Sequence, residues 1–64
     1  MYIHCANKDY NSLNLGLNIN PHNKTIDFDV TIHIRDKIYK KYNFKTYKRA
    51  LNKFDALYNK HFKE

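Results

Sequence analysis

SLNLGLNIN, residues 12–20, runs through PHNK, residues 21–24, into TIDFDVTIHI, residues 25–34. In the first stretch Leu13, Leu15, Leu17 and Ile19 alternate with Asn14, Gly16 and Asn18. In the second, Ile26, Phe28, Val30, Ile32 and Ile34 alternate with Asp27, Asp29, Thr31 and His33. A period of two places the apolar residues of each stretch on one face, which is the pattern of a half-buried strand. PHNK supplies the turn, since proline presets φ and asparagine tolerates the left-handed region. Matching the apolar faces sets the register, because a slip of one residue turns every apolar side chain toward water. Ile19 then pairs with Ile26, Leu17 with Phe28, Leu15 with Val30 and Leu13 with Ile32.

The pattern continues on both sides. RDK, residues 35–37, is a second turn, and IYKKYNF, residues 38–44, the next strand. Pairing Ile34 with Ile38 sets Val30 against Tyr42 and Phe28 against Phe44. It also puts Lys40 on the core side opposite Ile32, where a lysine must lie at the sheet margin and carry its ammonium out to water. Upstream, YIHCA, residues 2–6, reads as a further strand that residues 7–11 turn back toward 12–20. Downstream, Thr46 is a helix N-cap. Tyr47, Ala50, Leu51, Phe54, Leu57, Tyr58 and His61 recur at three- and four-residue spacing, with no Gly or Pro before Phe62. The expectation is an α+β fold: an antiparallel meander of three to four strands packed on one C-terminal helix, about 46–62. Phe28, Tyr42, Phe44, Tyr47, Phe54 and Tyr58 are its expected aromatic core.

Sixty-four residues make one domain with a small core. The single cysteine, Cys5, excludes an intramolecular disulfide and fits a reducing compartment. MYIHCANKD shows no basic segment followed by an apolar run, and no stretch is long and apolar enough for a membrane span. A cytoplasmic protein of a bacterial host, with no membrane partner, is expected. The net charge of +6 is uneven. Residues 35–64 hold ten Lys or Arg against Asp36, Asp55 and Glu64, whereas residues 1–34 are slightly acidic. That asymmetry points to an anionic partner for the C-terminal half. The balance of 10 Lys to 2 Arg, with 9 Asn, 6 Ile and 6 Tyr, also follows AT-rich codons, as in a low-GC bacterium or its phage.

Chemical motifs are sparse. Asp27 and Asp29 share a face, but cross-strand pairing with Asn43, Lys41 and Lys45 accounts for both. Cys5 and His4 are adjacent in a strand and point to opposite faces, so they form no dyad. Cys5 reads as small core filling. The four histidines fall on separate elements without metal-ligand spacing. The only glycine, Gly16, lies inside a strand, so there is no glycine-rich phosphate loop. Neither catalytic residues nor a metal or cofactor are expected. What remains is two surfaces. The open sheet face offers Asp27, Asp29, Thr31, His33, Tyr39 and Lys41. The outer helix face offers Lys48, Arg49, Lys53, Lys60 and Lys63, with only Asp55 opposing. A third feature is an exposed strand edge, which permits homodimerisation by strand addition.

YNFKTYKRALNKFDALY, residues 42–58, resembles the last strand and helix of the AP2-type and integrase arm-type DNA-binding domains. The resemblance implies a three-stranded antiparallel sheet backed by a C-terminal helix. It implies that the open sheet face enters the major groove, with Asp27, Asp29, Thr31, His33, Tyr39, Lys41 and Asn43 at the matching positions. In size, single cysteine and AT-rich bias the chain is also similar to small phage anti-defence proteins, anti-CRISPR inhibitors among them. The leading expectation is therefore a non-enzymatic module that occludes a host protein or ribonucleoprotein. The alternative is a nucleic-acid-binding domain using the basic helix face.

Overall fold

Three turns fold the strands into a meander, and each turn holds one residue in the left-handed region: Asp9 at φ 56°, Lys24 at φ 53° and Asp36 at φ 56°. The structure, a computed structural model, describes residues 1–62. Strands β1 (Tyr2–Lys8), β2 (Asn11–Asn20), β3 (Thr25–Ile34) and β4 (Ile38–Phe44) form one antiparallel sheet in the order β1-β2-β3-β4, followed by helix α1 (Tyr47–His61). This is an α+β fold with the full complement of four strands. β1 runs on to Lys8, two residues beyond the expected end, because a two-residue turn at Asp9 and Tyr10 closes the first hairpin.

The two registers inferred from apolar matching are those of the sheet. Leu13 faces Ile32, Leu15 faces Val30, Leu17 faces Phe28 and Ile19 faces Ile26. Across the next hairpin Phe28 faces Phe44, Val30 faces Tyr42, Ile32 faces Lys40 and Ile34 faces Ile38. Turn 21–24 differs from expectation in one detail. Lys24, not Asn23, takes the positive φ. The Asn20 side chain shapes this turn by accepting from the His22 and Asn23 amides at 3.0 and 3.3 Å. Such a side-chain cap leaves the left-handed position to the last residue before β3.

The core is built from the middle strands and the helix. Leu13 and Leu15 of β2, Phe28, Val30 and Ile32 of β3, and Ala50, Phe54 and Leu57 of α1 are buried, together with Phe62 just past the helix end. Thr46 caps α1, its hydroxyl accepting from the Arg49 amide, and Phe62 closes it by donating its amide to the Tyr58 carbonyl. Phe62 keeps the four-residue step from Tyr58 but stands at the expected end of the helix, and the apolar stripe expected from the sequence runs only to His61.

The helix covers only part of the apolar face. A 15-residue helix spans about 22 Å, whereas the molecule is 39 Å long. Ile19 and Ile26, expected in the core, consequently lie 67% and 54% exposed at the far end of the β2–β3 hairpin. Tyr47 and Tyr58 are also corrected from core to exposed, and Tyr42 and Phe44 to half-buried. Tyr47 sets its ring edge-on to Phe28 at 5.8 Å and bonds its hydroxyl to His4 Nε2 at 2.7 Å. Tyr58 stacks on Phe62. Both tyrosines cover core residues with their rings and keep their hydroxyls at the surface.

Two residues on the same face of β3 should therefore respond oppositely to truncation. Ile32→Ala, at a fully covered site, is expected to cost roughly 2–4 kcal/mol, most of the stability available to a domain this small. Ile26→Ala is expected to cost under about 1 kcal/mol. Urea unfolding followed by circular dichroism measures both.

Candidate binding surfaces on the sheet and beside the helix

On the open sheet face the charged groups answer one another. Asn18 of β2 donates its amide to Asp27 Oδ1 at 2.9 Å and also to Asp29. Asn43 of β4 donates to Asp29 Oδ1 at 2.8 Å, and Lys41 Nζ lies 3.5 Å from Asp29 Oδ2. Asp29 thus meets Asn43 and Lys41 as cross-strand reading requires. Asp27 does not use Lys45; its partner is Asn18, which faces it across the β2–β3 pair. Thr31 faces Lys41, and the His33 and Tyr39 rings meet edge-on at 5.8 Å. The surface around Asn18, Asp27, Asp29 and Asn43 is a broad shallow depression, not an enclosed site.

Near Gly16 this face is covered. Tyr2, held opposite Gly16 by an irregularity in β1 between Tyr2 and His4, lays its ring within 3.5 Å of where a Cβ would stand. Cys5, expected to fill the core, is instead exposed on the open face opposite Asn14. His4 takes the core side, against Tyr47 and Phe54. The reason is parity: once Ala6 pairs with Leu13 and His4 with Leu15, Cys5 must point the other way. Among the described residues no group of three or more His, Cys, Asp or Glu side chains is placed to hold a metal ion.

The helix side is different. Lys48 and Arg49 are exposed on the first turn, and the first turn carries no acidic residue. Lys53 is not on the outer face. It is half-buried, its ammonium 4.4 Å above the centre of the Tyr42 ring, an arrangement favourable to a cation. Lys53 thus turns toward β4. Lys60 stands on the same flank, and Lys63 lies outside the described residues.

Between β4 and this flank of α1 a cleft of about 220 Å³ opens. Its floor is Ile32, Ile38, Tyr42 and Leu57, with Ala56 at one wall. Its rim carries Lys40, Lys53, Lys60 and His61. Lys40 arrives there because its parity puts it on the core side of an edge strand, beyond the reach of the helix. The described ion pairs, Arg35–Asp36 and Lys41–Asp29, involve none of these rim lysines. Sequence reading placed Lys53 and Lys60 among the basic helix residues but did not bring Lys40 to them. The available signal was a lysine in the apolar row of a terminal strand.

Asp29 gives a pH test of the open face. Burial raises an acid's pKa, but the Asn43 and Asn18 hydrogen bonds and the Lys41 ammonium outweigh it and hold this carboxyl below its ordinary value of 3.8. A carboxyl with a depressed native pKa stabilises the fold above its unfolded pKa, and that contribution is lost as pH falls through the native value. Asp29→Asn is expected to cost roughly 1 kcal/mol at neutral pH and to narrow its deficit below about pH 4. Urea midpoints of both proteins across pH 2–7 read the difference.

Compared with known proteins, the chain matches no protein-family model, no curated protein and no solved structure at a significant level.

Proposed function

We propose that the protein is a small non-enzymatic binding module that docks an acidic protein surface on its basic helix side and thereby occludes that surface. This is the mode of action of a phage-type inhibitor of a host defence protein or ribonucleoprotein. One observation carries the reading: Lys40, Lys53 and Lys60 converge on a cleft with an apolar floor, and none of them has a carboxylate partner among the described residues. Like charges held together cost stability unless an anion neutralises them. The open sheet face has no such excess, because Asp27, Asp29 and Lys41 are already met by one another and by Asn18 and Asn43.

The same contrast weighs against the major-groove docking that the AP2-type resemblance implies. Asp27 and Asp29 stand on the face that would meet the phosphates. The apolar floor of the cleft suits a partner with apolar side chains better than a phosphodiester backbone, and the shortage of arginine argues in the same direction.

The test is a salt series. The protein is titrated with duplex DNA, with RNA, and with proteins captured from a bacterial host lysate. Capture of an acidic protein that persists at moderate salt and weakens by about tenfold or more in the Lys53→Glu/Lys60→Glu variant is the expected result. Binding to DNA or RNA that falls steeply and log-linearly with salt, with no protein captured, would instead establish the nucleic-acid module.

A further inference from the structure

The geometry points to a specific mode of docking, resting on the reading above: we infer that β4 and the cleft beside it receive an extended acidic peptide segment as a fifth strand. The two sheet edges are unlike. β1 is interrupted between Tyr2 and His4, its core-side row is closed by His4 against Tyr47 and Phe54, and the ring of Tyr2 lies over Gly16. β4 pairs with β3 in unbroken register from Ile38 to Phe44 and, among the described residues, has no strand on its other side. Every second residue of such an edge turns its N–H and C=O outward, a template for another strand.

The core-side row of β4 is Ile38, Lys40, Tyr42 and Phe44, and the first three line the cleft. A strand added beyond β4 would place alternate side chains over that row and beneath Lys53, Ala56 and Lys60 of α1. The chemistry this row selects is an apolar residue near Ile38, an acidic one near Lys40 and an apolar one near Tyr42, with further acids to meet Lys53 and Lys60. The floor supplies burial, the outward backbone supplies hydrogen bonds, and the rim supplies the sign of the charge.

Charge also decides which strand the edge accepts. Edge lysines commonly serve to prevent one copy of a chain from pairing with another. Two copies joined antiparallel across β4 would bring Lys40 and Lys41 of one chain against the same lysines of the next, and like charges opposed across strands are destabilising. The row that repels a second copy attracts an acidic strand, so discrimination and affinity come from the same side chains.

The probe is a capped synthetic peptide, Glu-Thr-Val-Thr-Glu-Thr-Leu-Thr-Glu, in which alternate positions put Glu, Val, Glu, Leu and Glu on one face. Its comparators are the Lys-for-Glu version, a version N-methylated on alternate backbone amides, and an RNA oligonucleotide. Binding is followed by amide shifts of the labelled protein. The expected result is saturable binding of the acidic peptide alone, with shifts centred on β4 and the facing flank of α1. Lys40→Glu and Lys60→Glu should each weaken it by about 3- to 10-fold. Ala56→Phe, which fills the cleft from a position exposed to solvent, should weaken it without unfolding the protein. Equal binding of the N-methylated peptide, or shifts confined to the open sheet face, overturns strand addition. If no peptide binds while an acidic protein is still captured through Lys53 and Lys60, strand addition is wrong and the docking reading stands. If RNA alone binds, both are wrong.

Discussion

One helix must cover the apolar face of a sheet that it cannot span, and the rest of the molecule follows from that shortage. α1 lies over β2 and β3, and the fully buried side chains are those beneath it: Leu13, Leu15, Val30 and Ile32. Wherever the apolar row extends past the helix, the protein has adapted in a different way. At the β2–β3 hairpin Ile19 and Ile26 stay in water. On the β1 side the gap is closed by rings, with Tyr47 and His4 joined over Phe28 and Phe54. On the β4 side it is not closed, and a cleft remains. The cleft is thus a consequence of helix length and placement rather than a cavity hollowed into a core.

Charge is distributed according to the same geometry. The open face consists of short polar side chains on central strands, where cross-strand neighbours are close and can satisfy one another. Asn18 and Asn43 flank Asp29 from both adjacent strands, and Lys41 completes the set. On the helix side the cations are long, their stems cover apolar surface, and their heads meet water at the margin. Lys53 resting on Tyr42 is the clearest case. Such positions cost little in desolvation, so a small domain tolerates several like charges there. Tolerance does not explain their convergence on one apolar depression, and that convergence separates this surface from an ordinary solvated helix face.

Most of the fold was legible because period-two patterning is unambiguous over ten residues. Both hairpin registers, the Thr46 cap and the parity of Lys40 and His33 followed from it. What escaped detection depended on distances that a pattern does not contain. Parity assigned Ile19 and Ile26 to the core face, which is where they lie, but only the length of α1 decides whether anything covers them. The helical repeat assigned Tyr47 and Tyr58 to the inner face, but at the stripe's borders a tyrosine can cover the core with its ring while staying exposed. Phe62 is in step with Tyr58, four residues earlier, but it stands just past the helix end, where a repeat does not say whether a side chain turns back onto the core. The face of Cys5 depends on how β1 pairs with β2, which YIHCA alone does not specify, and a shift of one residue inverts every face. The six open-face residues were found as a set, whereas the cleft joins residues from two elements whose relative placement no local pattern encodes.

The contrast between the two edges bears most directly on function. A free strand edge is a liability, and proteins suppress it by irregularity, covering or charge. This chain uses irregularity and covering at β1, where the strand is broken at Tyr2 and its inner row is filled. At β4 it uses charge alone. Irregularity and covering exclude every strand alike, whereas charge excludes only strands of the same sign. An edge that needed nothing beyond protection would gain more from the general device already present on the other side of the sheet. A regular β4, flanked by an apolar cleft and guarded only by lysines, is what the proposed docking of an acidic strand requires, and the same lysines would oppose pairing with a second copy.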